Sequence, residues 1–188
     1  MASIGALAIV LAVGLLIWGF SRQSASYDTS RDTIERTPVT DPTAISIYTS
    51  GTYGFSFFYP AAAVLDDLTG AEPWRTGAES GALTLRLADG AREARVGISV
   101  DPSVVASCED AGAPERALEP LTTGGTTWSI FVSDQLGTDN QRRVTSYRTV
   151  HSDACYAIET FEPLTAEGEP QAPGADLGLI VRSFSFVR

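Results

Sequence analysis

Residues 2–20, ASIGALAIVLAVGLLIWGF, form an apolar run without a single charged side chain. As a helix rising about 1.5 Å per residue, such a run spans roughly the 30 Å of a bilayer's hydrocarbon. It is too long for the apolar core of an ordinary cleaved signal, and Ser24-Ala25-Ser26 is the only small-residue stretch near its end. Residues 1–21 therefore read as a transmembrane anchor, or an uncleaved signal, with the lipid bilayer as partner through residues 2–20. No Cys lies just after the run to carry a lipid, so only the protein's own helix holds it. Everything that folds in water must come after.

Residues 22–44 carry Ser, Thr, Asp and Arg with Pro38 and Pro42, and show no apolar period. They read as a flexible linker, whose r.m.s. span would be about 25 to 30 Å. Residues 45–188 are then one domain, and the chain's 44% hydrophobic content leaves it a real core.

Period-2 patterns dominate that domain. Tyr53, Phe55, Phe57 and Tyr59 alternate after a Ser50-Gly51 turn and stop at Pro60. Leu83, Leu85 and Leu87 alternate, Asp89-Gly90 supplies a turn, and Val96, Ile98 and Val100 alternate again. Trp128, Ile130 and Val132 follow Gly124-Gly125, and two further strands flank Ser152-Asp153. Helical expectations are few. Ala61–Leu68 reads as a short helix, and Asp101-Pro102 as an N-cap and first turn leading to Cys108, with Gly112 as the stop. Leu177, Ile180 and Val181 take helical spacing before Phe184 and Phe186 alternate in a last strand. The sum is an α+β domain, a mostly antiparallel sheet of about six to seven strands flanked by short helices.

Charge narrows the function classes. All thirteen basic residues are Arg, the formal charge is -10, and no basic cluster exceeds Arg142-Arg143. Nucleic acid is not an expected partner.

The stretch RTVHSDACYAIE, residues 148–159, gathers His151, the only histidine, and Cys155, one of two cysteines. Catalysis by this pair is weighed first. If Ser152-Asp153 is a two-residue turn, alternation sends His151 and Cys155 to opposite faces of the sheet. A zinc site lacks ligands, and Asp134, Asp139 and Asn140 do not follow a calcium-loop spacing. No common hydrolase or nucleotide-binding motif occurs, so no catalytic, cofactor-binding or metal residue is assigned and no cofactor is expected. The even cysteine count and the membrane segment favour a Cys108–Cys155 disulfide over two buried free thiols. Arg22, Arg31 and Arg36 after the apolar run favour a cytoplasmic domain by the positive-inside rule, whereas the disulfide favours the other side, which we take: a single-pass cell-membrane protein with an extracytoplasmic C-terminal domain. Arg148 and Glu159 read as a surface ion pair on one hairpin face. The aromatics Tyr53, Phe55, Phe57, Tyr147 and Tyr156 read as core, with a ligand groove as the alternative.

Three segments, YTSGTYGFSFFYP (48–60), SYRTVHSDACYAIE (146–159) and LIVRSFSF (179–186), together resemble the PsbP-like domains, related in fold to the Ran-binding Mog family. In character the chain is most similar to bacterial singly anchored extracytoplasmic proteins with a Cys in a short helix and a second in CYAIE. It departs from them at Ala61–Ala63, where a Trp is common. The resemblance covers residues 45–188 and implies an antiparallel sheet flanked by helices, without implying an activity. The functional expectation is a tethered, non-enzymatic domain that binds or supports an envelope protein or glycan. The alternative is a small-molecule module or a hydrolase using a carboxylate or Ser between Gly124 and Gln141.

Overall fold

The computed structural model describes residues 33–34, 44–70, 82–136, 141–171 and 176–187, all within one compact unit, Arg31–Arg188. The expected anchor at residues 2–20 and most of the expected linker lie outside the described residues. Among the described residues no helix is long and apolar enough to cross a membrane.

Among the described residues eleven strands and two short helices follow one another in this order: β1 (Thr33–Ile34), β2 (Ile45–Ser50), β3 (Phe55–Pro60), β4 (Val64–Asp67), β5 (Leu83–Asp89), β6 (Arg92–Ser99), α1 (Pro102–Ala106), β7 (Arg116–Thr123), β8 (Thr126–Leu136), β9 (Gln141–His151), β10 (Ala154–Pro163), α2 (Gly178–Ser183) and β11 (Ser185–Phe186). They build two antiparallel sheets. The larger has the order β4-β5-β6-β10-β9-β8-β7, and the smaller β1-β2-β3-β11. The antiparallel pairing and the few short helices agree with expectation; the strand number exceeds the expected six to seven, and the second sheet is a correction. Its outer strands hold two residues each, too few to show a period. β1 falls within the segment read as linker and pairs Thr33 with Thr49 and Ile34 with Tyr48.

The alternating aromatics explain why the sheets face each other. Tyr48, Phe55, Phe57 and Tyr59 of the small sheet are buried in one cluster with Leu83, Leu85, Leu87, Val96, Ile98 and Ile158 of the large one. Phe55 meets Tyr156 edge-on across the gap, ring centroids 6.1 Å apart. The aromatic stripe is thus core, with Tyr53 and Tyr147 partly buried against it. Ile180, Val181 and Phe184 add α2 and its end to the same core, and Phe184 takes Trp128 of β8 edge-on at 5.1 Å.

Two helical expectations need correction. Ala61–Leu68 is not helical: Val64–Asp67 forms β4, with Leu65 buried opposite Leu87 and Asp66 bonded to Arg86 at 2.9 Å. Pairing to the edge of β5 outweighs the local helix propensity of three alanines. α1 starts as expected, Asp101 accepting from Ser103 N at 2.8 Å and Ser103 Oγ at 2.6 Å. These bonds hold the Asp101 carboxyl below its usual range. The helix ends at Ala106, so Cys108 lies just beyond it.

Cys108 and Cys155 are joined in a disulfide, Cα–Cα 5.7 Å, which fixes the turn after α1 to the face of β10 opposite the core. Val104 and Val105 pack there with Ala157. Arg148 belongs to this same outer face, and the surface-pair expectation fails for it. It is 0% exposed and Glu159 3% exposed. Arg148 Nε donates to Ser146 Oγ (2.9 Å), Nη1 to the Asp110 carbonyl (3.0 Å) and Nη2 to the Glu115 carboxylate, with the guanidinium 4.4 Å from the Phe131 ring centroid. The segment from Cys108 to Glu115 therefore closes over a buried cation, bonded covalently at one end and ionically at the other.

Candidate cleft between two diverging strands

The hairpin at Ser152-Asp153 has two turn residues in the left-handed region, φ 48° and 58°, and pairs His151 with Ala154. The parity argued from sequence follows: Cys155 faces Val150 and points to the outer face, bonded to Cys108. His151 points to the other side, where its ring stacks on Phe186 at 3.7 Å and 14°. Among the described residues no hydrogen bond joins His151 to a hydroxyl or carboxylate. The structure thus keeps the two reactive residue types apart.

β8 begins at a similar hairpin. Gly124 and Gly125 have φ of 59° and 80°, as a two-residue turn of this kind requires. Gly124 also approaches the carbonyl of Phe184 so closely that a Cβ would stand 2.6 Å from that oxygen. Beside it, Thr123 Oγ1 donates to the Arg182 carbonyl at 3.2 Å. The tip of the β7–β8 hairpin is therefore drawn onto the end of α2. On its far side β7 carries Pro120 in a bulge between Leu118 and Leu121, the arrangement a proline needs on an edge strand.

The consequence is a parting in the sheet. Pairing between β8 and β9 runs from Leu136↔Gln141 to Ser129↔Arg148 and stops, although β8 extends back to Thr126 and β9 on to His151. β9 stays with β10 to its last residue, and β8 stays with β7 to Thr126. Between them opens a cleft of about 750 Å3. Thr126, Thr127 and Ser129 form one wall, and Thr149, Val150 and His151 the other. Phe186, stacked on His151, completes the lining with Val187, Glu109 and Pro120.

Ladder geometry fixes which backbone groups face the cleft. The residues flanking each two-residue turn, Thr123 with Thr126 and His151 with Ala154, bond to each other within their hairpins. One residue further on, Thr127 and Val150 direct N–H and C=O toward the cleft. They would be the next hydrogen-bonded pair of the β8–β9 ladder after Ser129 and Arg148, and they are not paired. The walls are hydroxyls and backbone, and the exposed apolar side chains are Val150 and Val187; among the described residues the sole carboxylate is Glu109 and no arginine lines the cleft.

The segment Gly124–Gln141 that the sequence reading marked as a possible hydrolase site is mostly strand. From Thr126 to Asp134 is about 26 Å at a strand's rise, and Asp134 is bonded to Arg143 at 2.9 Å, which raises the Arg143 pKa. A carboxylate from that end does not reach the cleft. Asp139 and Asn140 lie outside the described residues. Among the described residues no three metal-ligating side chains cluster. The cleft itself was not legible in the sequence. Its only local signals are two glycines and a proline, each of which also fits an ordinary hairpin.

No protein-family model and no curated protein matches the chain. Among solved structures it is similar to cyanobacterial PsbP (CyanoP) from Synechocystis sp. PCC 6803, at TM-score 0.42 and 16% identity, over 66% of this chain and 84% of that one.

Proposed function

We propose that the chain is a membrane-tethered extracytoplasmic domain that binds or supports an envelope component without catalysing a reaction on it, and that the cleft between β8 and β9 is where it does so. The parting of two strands whose backbone groups are left facing an open cleft carries the proposal. The reactive residue types support it as well, since Cys155 is bonded to Cys108 and His151 is stacked on Phe186. The apolar run at residues 2–20 supports the tether, and the disulfide supports an oxidising compartment.

A photo-crosslinking amino acid at exposed Thr127, in full-length protein in its native membrane, tests the binding site. A specific adduct with an envelope component is expected; adducts only from positions on another face would overturn the assignment. A reporter fused at the C-terminus and active only after export tests the topology. An inactive fusion would place the domain in the cytoplasm.

A small-molecule module in the same cleft is the second reading. Its volume of about 750 Å3 falls in the usual range for such pockets, about 300 to 1,000 Å3. Those pockets, however, enclose their ligand in apolar walls, whereas this one is open and walled by hydroxyls and backbone.

A further inference from the structure

We infer that the occupant of the cleft is an extended peptide segment, neutral or basic, that hydrogen-bonds through its own backbone to Thr127 and Val150. The inference rests on the reading of the cleft as a binding site and names the class of partner. What the cleft presents at Thr127 and Val150 is the N–H and C=O of two extended strands, the complement of another extended backbone. Alternate side chains of such a segment would fall to opposite sides of the sheet. On one side they meet Val150 and Glu109, and on the other His151, Phe186 and Val187. Among the described residues lining the cleft Glu109 is the only charged group fixed in sign, within a chain of net charge -10, so an acidic segment is repelled. A glycan would want an open aromatic face, but His151 and Phe186 spend their facing surfaces on each other at 3.7 Å.

The parting also has a cause within the fold. The β7–β8 tip is held away from β9 by the Gly124 approach to Phe184 and the Thr123 bond to Arg182. The open edge is therefore fixed in place before any partner arrives, which lowers the ordering cost of binding.

The test is selection of random displayed dodecapeptides on the purified, disulfide-intact full chain in detergent micelles, with counter-selection on Thr127→Trp. The expected peptides are neutral or basic, and crowding one cleft wall with Thr127→Trp, or removing the cleft-facing N–H of the other with Val150→Pro, weakens them by about ten-fold or more. Glu109→Arg, an exposed change that leaves the backbone in place, weakens the basic ones several-fold. Bound peptide slows amide exchange at Thr127 and Val150. Peptides that bind Thr127→Trp as tightly as the parent, or no enrichment over the counter-selection, overturn the proposal. Chitotriose is the parallel probe: if it slows those amides and peptides do not, the cleft binds glycan and the peptide assignment falls alone. If neither probe acts there and photo-crosslinks form elsewhere, the binding-site reading falls with it.

Discussion

Removing the Glu115 carboxylate is expected to destabilise the domain strongly, because Arg148 is 0% exposed and its charge has to be balanced inside the protein. Breaking a buried ion pair costs about 3 to 5 kcal/mol when one charge is left without its partner. Here the penalty is reduced on two counts. The Glu115 side chain is 17% exposed, so water can enter in its place, and Arg148 keeps Ser146 Oγ, the Asp110 carbonyl and the Phe131 ring. Against that, Glu115 also accepts from Gly112 N at 2.7 Å, a bond worth about 1 kcal/mol. Glu115→Ala should therefore cost about 3 kcal/mol, a large share of a typical stability of about 5 to 15 kcal/mol. Arg148→Met removes the buried charge and keeps much of the volume against Phe131, and should cost less. Urea unfolding reads both. With a slope near 2 kcal/mol/M, Glu115→Ala shifts the midpoint down by about 1.5 M. A loss below about 0.5 kcal/mol, or a larger loss for Arg148→Met than for Glu115→Ala, would refute the electrostatic account of this segment.

Three further outcomes follow from the same contacts. Replacing both cysteines by Ser opens a 47-residue separation and should cost about 4 kcal/mol in the chain-entropy model; two free thiols in protein from its native compartment would remove the bond from the account altogether. Gly124→Ala combines a left-handed φ with a backbone oxygen 2.6 Å from the new Cβ, whereas the Cβ at Gly125 meets nothing within 4 Å. Thermal melts should show a loss of about 1 kcal/mol for Gly125→Ala and at least about twice that for Gly124→Ala; equal losses would mean that the hairpin tip does not press on Phe184. Burial raises the phenol pKa of Tyr147, and burial with the nearby Tyr53 raises that of Tyr156. A raised folded pKa favours the protonated form, so this stabilisation is complete below about pH 10 and declines as pH rises beyond it. Absorbance at 295 nm should then show late-ionising tyrosines titrating together with unfolding, and uniform titration near pH 10 would contradict their burial.

The features legible in the sequence are those with a local period or a local count. Phe55, Phe57 and Tyr59 announce a strand because alternation is a property of one segment, and the turn at Ser152-Asp153 determines on which faces His151 and Cys155 fall. With two cysteines only one intramolecular pairing exists. What was missed is relational. β4 depends on the edge of β5, β7 is disguised by Pro120, and the burial of Arg148 follows from where the segment after α1 is tied. The parting of β8 from β9 is the clearest case. Thr127 and Val150 look like any strand residues, and only the pull of the β7–β8 tip toward Phe184 leaves them without each other.

That parting is tested most directly by residue-resolved amide hydrogen exchange on the unliganded protein. Ser129 and Arg148, the last paired residues of the β8–β9 ladder, should be protected to the level of the sheet core. Thr127 and Val150 should exchange at least about a hundred-fold faster, because their amides face the cleft without an acceptor. Equal protection at all four positions would show that the two strands close in solution, and with them the site on which the proposed function rests.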